Sequence, residues 1–91
     1  MKWIITEDLL EADSRVAYRV GNVSGKADAD LLIYEFRLSD DDGEVYYVGR
    51  CGDLDDAYEE QAFAPLDWAM ADSGCTTMEY RKVGTSNWET L

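Results

Sequence analysis

Carboxylates are the groups in this chain with the number and spacing to do chemistry. Asp40, Asp41, Asp42 and Glu44 surround Gly43, and Asp53, Asp55, Asp56, Glu59 and Glu60 follow soon after. Such clusters can hold a divalent cation, work as an acid–base pair, or present negative charge to a partner. An EF-hand loop with Gly43 at its sixth position would start at Leu38 and end at Gly49, and neither is a ligand. No metal or other cofactor is expected. Paired-carboxylate catalysis needs two acids held across a cleft, one with a raised pKa. Nothing in the sequence marks such a cleft, so no residue is assigned a catalytic role.

Other routes to catalysis close on composition. The chain has no histidine. That removes Ser-His-Asp and Cys-His nucleophiles, histidine-ligated metals and histidine proton shuttles. Cys51 and Cys75 are the only cysteines and form no Cys-x-x-Cys motif. They are expected to be reduced, apolar fillers in or near a sheet. The glycines do not form a phosphate-cradling loop and are expected at turns.

What remains is charge. Lys and Arg number 8 against 20 Asp and Glu, a net charge of −12 in 91 residues. Residues 40–72 hold 11 of the acids and one base, Arg50. This balance argues against direct binding of nucleic acid or of an anionic membrane. It favours docking on a protein with a basic surface. Double-stranded DNA carries one charge per roughly 1.7 Å. Ten net charges on one side of a domain about 25–30 Å across approach that density. The expectation is a non-enzymatic acidic domain that mimics nucleic acid and inhibits a basic, nucleic-acid-binding partner. Its contact set would be Asp40, Asp41, Asp42, Glu44, Asp53, Asp55, Asp56, Glu59 and Glu60. A rival explanation of the acidity is a saline habitat.

A second reading uses aromatic residues. Tyr46 and Tyr47 are neighbours on a strand, so they point to opposite faces. If a helix covers one face, one tyrosine lies on the other. With Arg37, Arg50 and Trp88 it would form an open aromatic sheet face for a small anion or a homodimer. A small accessory protein of a mobile element would fit this reading.

The elements that must position these residues follow from local pattern. Leu31–Ser39 and Val45–Cys51 read as strands joined at Asp40-Asp41-Asp42-Gly43-Glu44, where Asp-Gly is a hairpin signal. Cys75–Val83 and Asn87–Leu91 read as a second hairpin turning at Gly84-Thr85-Ser86. Trp3-Ile4-Ile5 is a fifth strand. Residues 15–20 read as a weaker strand, with a helix over 7–17 as the alternative, and 22–29 as loop. Pro65 opens a helix over 65–73 with Leu66, Ala69 and Met70 on one face, and Gly74 stops it. Asp56 and Glu59 stand at capping-box spacing, which suggests an acidic helical turn over 53–60. The expected architecture is one α+β domain over residues 1–91. It has an antiparallel sheet of four to five strands, built from hairpins, with one short α-helix packed on one face. No apolar stretch approaches the roughly 20 residues of a membrane span, and the start does not read as a secretory signal. The expected location is the cytoplasm.

The stretch Phe36-Arg37-Leu38-Ser39-Asp40-Asp41-Asp42-Gly43-Glu44-Val45-Tyr46-Tyr47 resembles one in small, uncharacterised bacterial proteins. So do Pro65-Leu66-Asp67-Trp68 and Gly74-Cys75-Thr76; together these patches cover about a fifth of the chain. The resemblance implies a bacterial, cytosolic origin. It transfers no activity and no site residue.

Overall fold

A computed structural model of the chain describes residues 1–10, 16–52 and 59–91, with the backbone alone for Glu59 and Glu60. Five strands form one antiparallel sheet: β1 (Trp3–Asp8), β2 (Tyr34–Ser39), β3 (Val45–Cys51), β4 (Thr77–Lys82) and β5 (Glu89–Thr90). Their order across the sheet is β1-β3-β2-β4-β5. Among the described residues there are three helices: α1 (Lys26–Asp30), α2 (Glu59–Ala62) and α3 (Ala64–Ser73). This is the expected α+β domain, with α3 as the helix that packs on the sheet.

The core forms where period-two alternation sends apolar side chains to the face under α3. Ile5, Phe36, Leu38, Tyr47, Cys51 and Met78 from the strands meet Leu66 and Ala69 from the helix, with Cys75 just beyond it. Phe36 holds the centre. It pairs with Gly49 across the hairpin, and its ring occupies the space a side chain at 49 would need. Gly49 is therefore not the turn residue expected. It is a mid-strand position without room for a Cβ, filled by a cross-strand aromatic ring.

α3 begins and ends where its local chemistry dictates. Pro65 lies in its first turn. Gly74 closes it at φ 78°, and the N–H groups of Gly74 and Cys75 return to the carbonyls of Met70 and Ala69. Met70 departs from expectation. It is 52 % exposed, because the packed stripe is Pro65, Leu66 and Ala69.

Three other readings are corrected. Leu31–Ile33 are not strand, because Leu31 caps α1 and β2 starts only at Tyr34. Residues 22–29 are not all loop, since α1 occupies 26–30. It is one turn long, has no side-chain cap and buries only Ala29, so it carries no periodic signal. Glu7 and Asp8 belong to β1, which rules out a helix starting there. Residues 16–20 form turns beside the β1 edge, not the weaker strand expected over 15–20. The Tyr18 N–H donates to the Ile5 carbonyl, and the Ile5 N–H donates to the Val20 carbonyl. The residues proposed for an acidic turn at 53–58 lie outside the described residues, and Glu59–Ala62 form α2.

Candidate functional site: an acidic hairpin tip

The β2–β3 tip is held by its first acid. One Asp40 oxygen accepts the backbone N–H groups of Asp42, at 3.0 Å, and Glu44, at 2.9 Å. The other accepts the Tyr46 hydroxyl at 2.9 Å. The Gly43 N–H returns to the Asp40 carbonyl, with Gly43 itself at φ 82°. These donors, first the Glu44 amide, hold the Asp40 carboxyl below its ordinary range. The same contact raises the Tyr46 phenol. Asp40 thus organises the tip, while Asp41, Asp42 and Glu44 are exposed on it.

More acids gather at this end of the sheet. β1 runs antiparallel to β3, so it ends beside the tip: Asp8 pairs with Tyr47, and the Leu9 N–H donates to the Tyr46 carbonyl. α3 ends there too. Its Asp72 accepts the Tyr47 hydroxyl at 2.7 Å. Burial, aided by that carboxylate, pushes the Tyr47 phenol up to about 12. Asp8, Asp40, Asp41, Asp42, Glu44 and Asp72 thus share one end with no described Lys or Arg between them.

β3 leads away from the tip: at roughly 3.3 Å per residue, its 7 residues span about 20 Å. Gly52 lies at the far end, where its N–H donates to the Lys2 carbonyl. α2 lies near that end as well, because the Met1 ammonium donates to Gln61 at 3.1 Å. The backbone of Glu59 and Glu60 is therefore remote from the tip. Asp53, Asp55 and Asp56 lie outside the described residues. Of the contact set expected over 40–60, the tip acids and the backbone of Glu59 and Glu60 thus lie at two ends of the sheet.

The open aromatic face is also redistributed. Tyr47 lies under α3 with its ring 4.8 Å from that of Trp68, so it is not on the open face. Tyr46 packs against the core cluster and gives its hydroxyl to Asp40. Arg37 and Trp88 do sit together on the face opposite α3. Arg37 lies 4.4 Å from the Trp88 ring centre and Arg81 lies 4.2 Å from it. Each arginine also pairs with the acid facing it across the β2–β4 ladder, Arg37 with Glu79 at 2.9 Å and Arg81 with Glu35. Arg50 donates to the Leu32 carbonyl at 3.4 Å.

Neither cysteine is poised to react. Burial pushes the Cys51 thiol up to about 12 and raises Cys75 as well, so both stay protonated at neutral pH. Cys51 ends β3 while Cys75 follows α3 at the tip end, and both are free. Among the described residues no three His, Cys, Asp or Glu side chains are grouped to hold a metal, and no helix is long and apolar enough to cross a membrane.

Two residues at the tip end escaped the sequence reading. Leu9 is 54 % exposed and Leu10 46 %. They follow directly on Glu7-Asp8, and an apolar pair leaving a strand among acids was the available signal. Comparison with protein-family models, curated proteins and solved structures finds no match.

Proposed function

We propose that this domain is a non-enzymatic, cytoplasmic binding module that docks through its acidic hairpin tip on a protein with a basic surface. The partner is of the kind that otherwise holds nucleic acid, and the domain inhibits it by occupying that surface. One observation carries the reading: Asp41, Asp42 and Glu44 stand exposed on a tip pre-ordered by Asp40. A fixed array of carboxylates loses less freedom on binding than a floppy one. It also steers a basic partner from a distance, in a way salt weakens. The rival reading, a ligand or dimer site on the open sheet face, is less favoured. Arg37 and Arg81 spend their charge on Glu79, Glu35 and Trp88 within the chain.

The test is affinity capture with the wild-type domain and with Asp41→Lys/Asp42→Lys/Glu44→Lys, at low and high salt. The expected result is a basic protein held by the wild type at low salt, released at high salt and not captured by the variant. Equal capture by both forms would contradict the reading.

A further inference from the structure

The tip end is not purely polar. Leu9 and Leu10 leave β1 with about half of their surface in water, whereas no large apolar side chain within the strands is exposed. Their position is fixed by the tip. The Leu9 N–H donates to the Tyr46 carbonyl at 2.8 Å, and the Tyr46 hydroxyl is bound to Asp40. The Leu10 N–H donates to Asp8 Oδ1 at 3.0 Å, and Asp8 itself is buried against β3. An apolar pair therefore stands beside the Asp40–Glu44 tip on a hydrogen-bonded turn. Charge alone needs no such pair. Adjacent exposed leucines cost solubility, whereas in an interface they become the apolar centre within a polar rim.

We infer that Leu9 and Leu10 are the apolar anchor of the docking end, and that the partner presents an apolar patch ringed by Lys and Arg. This rests on the docking reading and adds a partner class to it: a basic amphipathic surface, not a uniformly basic one. The acids bring the partner in and set its orientation, and the leucines slow its departure. A rigid phosphate-binding groove without apolar surface would gain nothing from them. The occupant is chosen by charge complementarity, since the leucines directly follow Glu7 and Asp8 and Leu9 is bonded to β3 two residues from Glu44.

Titration calorimetry with two probes tests this. One is a short amphipathic lysine–leucine peptide; the other has equal charge with serine replacing every leucine. The wild-type domain should bind the first roughly tenfold tighter, the scale expected for burying apolar side chains. Leu9→Ser/Leu10→Ser should bind both equally, while Leu31→Ser/Ile33→Ser, a change to exposed residues at the opposite end, should keep the difference. Both serine variants alter exposed positions, and an unchanged melting curve confirms that they fold. Equal binding of both peptides by the wild type would overturn the inference and leave docking by charge standing. A difference that persists in Leu9→Ser/Leu10→Ser would overturn it as well. If neither peptide binds the wild type, the docking reading itself fails.

Discussion

The two ends of the sheet both expose apolar side chains, in opposite electrostatic settings. At the tip end, Leu9 and Leu10 stand beside Asp41, Asp42 and Glu44. At the opposite end, Leu31, Ile33 and Val83 are exposed near Lys82, and Val83 donates its N–H to the Ile33 carbonyl. A cleft of about 430 Å³ opens there between Lys2, Asn22, Asp28 and Leu31. Its rim mixes charges, whereas Asp41, Asp42 and Glu44 on the tip are all acids. Both ends are braced by side chains. The tip is cross-braced by Asp40, Tyr46, Asp72 and Tyr47. At the opposite end the Asn22 side chain accepts the Trp3 N–H and donates to the Met1 carbonyl, and Arg50 donates to the Leu32 carbonyl. Charge, not bracing, is therefore what makes the tip the stronger candidate for recognition.

The largest effect should come from what both ends share. Phe36→Ala empties the centre of the sheet over Gly49, and such changes cost about 3–5 kcal/mol. Denaturant unfolding should show that loss, and both ends should lose hydrogen-exchange protection together. If only one end loosened, the ends would be independent units. Next comes charge. Asp41→Lys/Asp42→Lys/Glu44→Lys should weaken binding of a cationic peptide roughly a hundredfold, because attraction becomes repulsion. Lys2→Glu/Lys82→Glu at the opposite end should weaken it hardly at all. Calorimetry of the two variants distinguishes the ends directly.

Alkaline pH separates them in a third way. Tyr47 braces the tip end and Cys51 closes β3 at the other, and each is pushed up to about 12. A raised folded-state pKa favours the protonated group. Its contribution is complete below the unfolded-state values, 9.0 for the thiol and 10.0 for the phenol, and is lost as pH rises towards 12. Stability should be level to about pH 9 and then fall. Cys51→Ala should remove the earlier part of that fall, and Tyr47→Phe the later part. At neutral pH, Tyr47→Phe should also cost about 1 kcal/mol through the lost bond to Asp72. The smallest effect belongs to Asp40→Asn. It should speed hydrogen exchange at the Asp42 and Glu44 amides while barely moving the melting temperature. In the wild type the same loosening should appear as pH falls below the ordinary carboxylate range, since a lowered pKa contributes only above it.

Local signals made much of this legible. The Asp-Gly turn and the flanking alternation located β2, β3 and the tip, and Pro65 with Gly74 bracketed α3 almost to the residue. α1, which packs over β1 and β3, was not legible because its single turn buries one alanine. Leu31–Ile33 misled because an apolar run looks the same whether it enters a core or closes a turn. Strand order was equally hidden, since β1 pairs with β3 and β2 with β4 through contacts distant in sequence. The acidic stretch shows the deepest limit. Acids over residues 40–60 read as one surface, yet a seven-residue strand lies between the tip acids and the backbone of Glu59 and Glu60. The clue lay in the strand itself, whose length is visible in sequence.

The most direct test of the central claim is chemical-shift mapping of the labelled domain with a lysine-rich peptide at low and high salt. The account predicts perturbations concentrated at residues 7–10 and 40–46 that vanish at high salt. Perturbations centred on residues 31–33 and 82–84, or none at low salt, would contradict it.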